Sequence, residues 1–178
     1  YDITTSFMEY LYQFVKGSGF MILFSNRDGY VLKIVGDDDI VKAAREKDIP
    51  LIPGCCRTES VLGTNAIGTP LFTGKPIQLY SYEHYFEFNT DWTCSGAPIM
   101  SRGKPVGCIC ISGPWNQVHK HTLGLAMAAA EAISRQLNLL EAYDALSDLK
   151  PQLPTAIDSI HSGVVLVDEA YRVALIIA

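Results

Sequence analysis

Basic residues are scarce in this chain of 178: 14 Lys and Arg stand against 19 Asp and Glu, a formal charge of −5. Gripping a phosphate backbone takes clustered cations, so no nucleic-acid binding is expected of this segment. Long apolar runs are missing as well. Phe20–Phe24 and Leu123–Ala130 fall far short of the roughly 20 residues that span a bilayer, and no basic stretch followed by a hydrophobic core opens the chain. No membrane association is expected, and the reading is a cytoplasmic protein. The five cysteines are an odd number and include no Cys-x-x-Cys pair. A disulfide framework is therefore not expected, and reduced thiols are the default. Low-complexity tracts are also absent. With 48% hydrophobic residues, the chain suits a packed domain burying about 70% of its unfolded surface.

The usual signatures of nucleotide and hydrolase chemistry are missing too. Gly63 and Gly68 have P-loop spacing, but Thr69-Pro70 follow where a phosphate loop needs Lys and a hydroxyl. Neither Gly-x-Gly-x-x-Gly nor Gly-x-Ser-x-Gly occurs. Asp37-Asp38-Asp39 immediately precede Ile40-Val41-x-x-Ala44 and read as an N-cap with first-turn charges on a helix to about Lys47, in preference to a metal site. No cofactor is expected.

Ser6-x-x-Glu9 has capping-box form, and Phe7, Tyr10, Leu11, Phe14 and Val15 follow at helical spacing until Gly17. Two strand-like runs, 20–25 and 30–35, flank Asn26-Arg27-Asp28-Gly29, whose Asp-Gly favours a tight reversal. Short helical turns are expected around Gly63 and Gly68, a strand over 76–80, an aromatic helical turn over 82–88, and a second hairpin from 93–100 and 106–112. The fold class is α+β: an antiparallel sheet of about five or six strands with helices packed on its faces. From about 118 to 149 only Gly124 interrupts helical character, which predicts a helix about 45 Å long, longer than the domain is wide. Its apolar stripe, Ala126, Ala130, Ile133, Leu137 and Leu140, shifts phase to Leu139, Tyr143 and Leu146. That pattern points to a homodimer through helices. Beyond Pro151 and Pro154 a helix over 157–163 and strands over 164–168 and 172–177 are expected; two strands alone cannot bury a core. The chain begins without Met and ends in a hydrophobic run, and reads as a fragment.

The richest segment is Glu59–Gly74, ESVLGTNAIGTPLFTG, where short polar side chains and glycines flank an apolar pair, a pocket composition. Candidate ligand-binding residues are Thr64, Asn65 and Thr69 here, with His84, Tyr85, Trp92, Cys94 and Cys108 downstream. Cys108 and Cys110 alternate with Ile109 and Ile111, so both thiols face one side of a strand, and Cys94 lies on the preceding strand. Three neighbouring thiols, with His84 or with His119 and His121, would bind a metal or cycle as dithiol and disulfide; packing of buried Cys as a small apolar residue is the alternative.

GTNAIGT, Glu83-His84-Tyr85 and TCSGAPI, in that order, resemble the GAF sensor domains of sigma-54-dependent transcriptional activators of acetoin and glycerol or dihydroxyacetone catabolism. The resemblance implies a GAF unit over 1–150 with a long C-terminal signalling helix, and the truncated start of a PAS domain over 151–178. It implies a non-catalytic sensor that binds a small effector or a partner protein. Thr64, Asn65 and Thr69 would shape a cavity floor, and His84, Trp92 and Cys94 its wall or mouth. In such activators an AAA+ ATPase, DNA binding and sigma-54 RNA polymerase contacts lie elsewhere in the full-length protein. A cysteine-based redox enzyme, or a redox or metal sensor of the GAF class, is the competing reading.

Overall fold

The computed structural model describes residues 2–46, 51–117, 119–149, 164–167 and 172–177. They divide into two compact units, Tyr1–Leu137 and Asn138–Ala178.

The first unit is built on a five-stranded antiparallel sheet in the order β2-β1-β5-β4-β3. Its strands are β1 (Met21–Asn26), β2 (Val31–Gly36), β3 (Ile77–Tyr80), β4 (Trp92–Ser101) and β5 (Lys104–Pro114). Both expected hairpins form, and β1 pairs with β5 to join them, Leu23 opposite Cys110 and Phe24 opposite Ile109. Because side chains alternate along a strand, the sheet carries two cores. One face holds Ile22, Ala97, Ile99, Ile109 and Ile111 against helix α1 (Asp2–Val15) and the first half of helix α5 (Lys120–Leu149), through Met8, Leu11, Ala126 and Ile133. The other holds Met21, Leu23, Trp92, Cys108 and Cys110 beneath helix α2 (Asp38–Arg45) and the short helix α4 (Gly68–Thr73), which follows α3 (Glu59–Leu62) in the chain. The second face carries the sequence signature.

Four details differ from the sequence expectation. Helix α1 starts at Asp2, so Ser6 is an interior residue and not its cap; Glu9 instead pairs with Lys33 Nζ at 2.7 Å. On that helix Tyr10 and Phe14 lie outside the core, edge to face at 5.2 Å. Asp37 stands at the N-cap of α2 and Asp38 and Asp39 in its first turn, as expected, but the Asp37 side chain makes no cap bond: its carboxylate accepts from Tyr12 Oη at 2.6 Å and from the Gly17 amide at 2.8 Å, tying α2 to the end of α1. The aromatic segment after β3 forms two 3₁₀ turns, Ser81–Glu83 and Glu87–Asn89.

The expected long helix is present as α5, 30 residues. Leu139, Tyr143 and Leu146 on it are exposed. Within the second unit, β6 (Val164–Val167) and β7 (Val173–Ile177) form an antiparallel pair. The helix expected over 157–163 lies outside the described residues.

Candidate functional site

The segment Gly63–Thr69 is a turn that binds itself. The Asn65 side chain accepts from the Ile67 and Gly68 amides at 3.0 and 2.8 Å and donates to the Gly63 carbonyl at 2.9 Å. Thr69 Oγ1 accepts from the Asn65 amide at 3.2 Å. Polar groups buried away from water must be paired, and this motif pairs its own, capping α4 while pressing Ala66 and Ile67 onto the sheet. The Ala66 carbonyl reaches β4 at Gly96, where a β-carbon would stand 1.7 Å from that oxygen, and Cys108 Sγ lies 3.6 Å from the same oxygen. The two signature strings are thus halves of one contact. Gly63, at φ 55°, passes beneath the Tyr85 ring, and the Tyr85 amide donates to the Thr64 carbonyl at 3.1 Å.

Between this turn, the 3₁₀ segment and the sheet lies a pocket of about 40 Å³, bordered by Arg57, Asn65, His84, Cys94, Cys110 and Ser112. A volume of that size holds a few waters. Small-molecule sites are typically several hundred Å³, so a larger ligand needs the turn to move. Asn65, His84 and Cys94 of the sequence candidates border it. Trp92 is buried in the core beside it, Cys108 is buried behind Ala66, and Thr64 and Thr69 belong to the turn itself. Tyr85 is exposed, its ring over Gly63. Arg57, missed in the sequence, is 5% exposed and donates Nε–H to Cys55 Sγ at 3.3 Å. A lone arginine after a Cys-Cys pair carries no periodic signal of burial.

His84 is 5% exposed. Ser81, at φ 46° in the left-handed region that most side chains avoid, turns its carbonyl to accept from His84 Nδ1 at 2.9 Å and from the His84 amide at 3.2 Å. Nε2 is buried without a hydrogen-bond partner among the described residues. Burial works against the imidazolium, but interaction with Cys94, the Ser81 carbonyl and Glu83 outweighs it and raises the pKa above 6.5. Cys94 is partly exposed, and the Ser112 hydroxyl lies 3.1 Å from its sulfur. The Cys110 thiol, acting as donor to Cys94, holds the Cys94 pKa well below 9.0; burial opposes this and the His84 charge assists it. Cys110 is pushed the other way, by that same hydrogen bond and by burial. Burial raises the Cys108 pKa. Among the described residues, no group of three or more His, Cys, Asp or Glu is arranged to hold a metal ion. His119 and His121 sit together at the start of α5, rings 4.4 Å apart and exposed.

Two larger grooves lie on the surface: one of about 490 Å³ beside Thr58, Glu59, Leu71 and Phe72, another of about 420 Å³ between Pro76, Pro98 and Met127. No helix among the described residues is long and apolar enough to cross a membrane.

The chain is 35% identical over 168 residues to a signal-transduction and transcriptional-control protein of Clostridium beijerinckii, covering 94% of this chain and 26% of that one. It is 39% identical over 132 residues to the acetoin dehydrogenase operon transcriptional activator AcoR of Bacillus subtilis, covering 74% and 22%. The chain thus spans about a quarter of these relatives. Among solved structures, the E. coli DhaR(N)–DhaL complex matches with a TM-score of 0.83 at 18% identity, over 98% of this chain and 60% of that one, a likeness of fold. The pattern that defines GAF domains matches residues 2–137, the whole of the sheet and the turn that closes the pocket, and the chain belongs to the GAF domain family.

Proposed function

We propose that this chain is the signal-sensing region of a bacterial transcriptional activator of the sigma-54-dependent type, working in the cytoplasm, with the ATPase and DNA-binding activities carried elsewhere in the full-length protein. The observation that carries the reading is the pocket under the Asn65 turn, an apolar hollow with Asn65, His84, Cys94 and Ser112 on its border, in a GAF domain whose relatives are transcriptional regulators. The occupant is a small effector met by His84, Cys94 and Ser112, with Asn65 holding the turn that covers it. Because the turn contacts β4 at Gly96, filling the pocket shifts the turn against the sheet, and a ligand that prefers one position shifts the population of states. Helix α5 carries the shift onward, paired with its copy through Leu139, Tyr143 and Leu146, toward a PAS domain that opens with β6 and β7. A thermal-shift screen of small diols and hydroxyketones tests this, since a ligand selective for the native state raises its melting temperature. An effector whose shift is unchanged by His84→Gln would place binding elsewhere.

A protein partner is the second reading, favoured by the exposure of Phe72, Tyr82 and Tyr85, at 83, 85 and 72%. The structural relative in complex with DhaL supports it. The relatives being regulators, a redox enzyme is not favoured.

A further inference from the structure

Cys94 and Cys110 stand on neighbouring strands, on the same face of the sheet and one step apart in register: Cys94 is opposite Ser112, and Gly96 is opposite Cys110. The Ser112 hydroxyl bridges the two thiols, 3.1 Å from Cys94 Sγ and 3.4 Å from Cys110 Sγ. His84, buried and with Nε2 unpartnered among the described residues, borders the same pocket of about 40 Å³. Of the three strand cysteines Cys94 alone is partly exposed; Cys108 and Cys110 are buried. The pocket therefore brings together one reachable thiol, one proton donor and one buried second thiol. Its volume suits a molecule of two oxygen atoms, in the size range of the few waters it can hold.

We infer that Cys94 and Cys110 form a peroxide-responsive thiol pair built into the sensing domain, with hydrogen peroxide as the oxidant. The Cys94 thiolate attacks one peroxide oxygen; the S–O bond forms as the O–O bond breaks. The departing hydroxide takes the Nε2 proton of imidazolium His84, leaving Cys94 sulfenic acid, water and neutral His84. The Cys110 thiolate, formed as Ser112 relays its proton to the sulfenic oxygen, then attacks the Cys94 sulfur. Water leaves and the disulfide closes. Two electrons pass from the thiol pair to one peroxide, and two waters are made. The lowered pKa of Cys94 supports its role as nucleophile, because the thiolate is the reactive form. Diagonal neighbours on antiparallel strands have α-carbons about 7–8 Å apart, at or beyond the span a disulfide bridges without backbone movement. Oxidation therefore shifts the backbone of β4 and β5 along one another at the pocket and alters the seat of the Asn65 turn. This is a stoichiometric modification of a regulator, without turnover, and it does not depend on the effector reading above.

The test is peptide mapping of the wild-type chain after graded exposure to hydrogen peroxide under native conditions, with thiols blocked before digestion. A Cys94–Cys110 disulfide is expected before Cys55 or Cys56, both partly exposed, is oxidised. With Cys110→Ser, oxidation stops at a sulfenic acid on Cys94 that dimedone traps. With His84→Gln it slows by on the order of tenfold or more. Oxidation of Cys55 and Cys56 with Cys94 still reduced would overturn the proposal, and this outcome is read on the wild-type chain, whatever the variants' folding.

Discussion

The Ala66 carbonyl oxygen occupies the place a side chain on Gly96 would need, 1.7 Å from where its β-carbon would stand. The turn over the pocket and the strand beneath it meet backbone to backbone, so a side chain added here cannot be accommodated by moving a flexible side chain. Gly96→Ala is expected to destabilise by about 1–3 kcal/mol or more, which lowers the melting temperature by at least ~2 °C in a chain of this size. A variant that melts with the wild type would show that the turn does not rest on β4.

Asn65 holds three bonds of the turn at once, two accepted and one donated. Asn65→Ala is expected to cost about 2 kcal/mol in urea denaturation, the range for a lost helix cap or orphaned buried amides. Thr69→Val removes one acceptor at 3.2 Å and is expected to cost less than ~1.5 kcal/mol. Equal losses would mean that the Asn65 amide is not the centre of the turn.

Cys94 is expected to react with iodoacetamide at pH values well below 9.0, its ordinary pKa, because Cys110 and His84 favour the thiolate against burial. Removing the imidazolium with His84→Gln moves the alkylation profile to higher pH. A profile that does not move would separate the two groups electrostatically.

The Tyr12–Asp37 bond gives a stability term with limits at both ends of the pH scale. Asp37 titrates below 3.8, its ordinary value, because Tyr12 donates to it. A depressed carboxylate contributes stability that is complete above its unfolded pKa and lost as pH falls through the folded one. Tyr12 is raised from 10.0 to about 12 by the same bond; its contribution is complete below 10.0 and lost as pH rises through about 12. Tyr12→Phe is therefore expected to melt lower than wild type between these limits, with the gap closing below 3.8 and towards 12. A gap constant across the titration would rule out this bond as its cause.

Leu139, Tyr143 and Leu146 on α5 are exposed to solvent, and on the dimer reading they face a second copy. Leu139→Glu combined with Leu146→Glu is expected to convert a dimer into a monomer by sedimentation, with the melting of the GAF unit unchanged. A wild-type chain that sediments as a monomer at micromolar concentration would remove the paired helix from the account.

Much of this architecture was legible in the residues. The alternation of Cys108, Ile109, Cys110 and Ile111 assigned each to its own face, and Asp28-Gly29 marked the first reversal, because both signals are local. The role of Asn65 was legible only as composition: its amide is spent on the turn itself, and one partner, the Gly63 carbonyl, lies behind it in the chain. Asp37 misled for a related reason. Its position at a helix start fits a cap, but the competing partners Tyr12 and Gly17 are 25 and 20 residues away. Ser6-x-x-Glu9 had the form of a cap within a helix that had already begun. The meeting of His84 with Cys94 depends on the left-handed Ser81, and no spacing rule brings those groups together.

On the proposed function, the domain responds to occupation of the pocket bordered by Asn65, His84 and Cys94. Hydrogen exchange with and without a saturating small effector is then expected to show added protection at 63–69 and around His84, together with a change along α5. Protection confined to the surface groove at Phe72, with the turn and α5 unchanged, would place the sensing event outside the pocket.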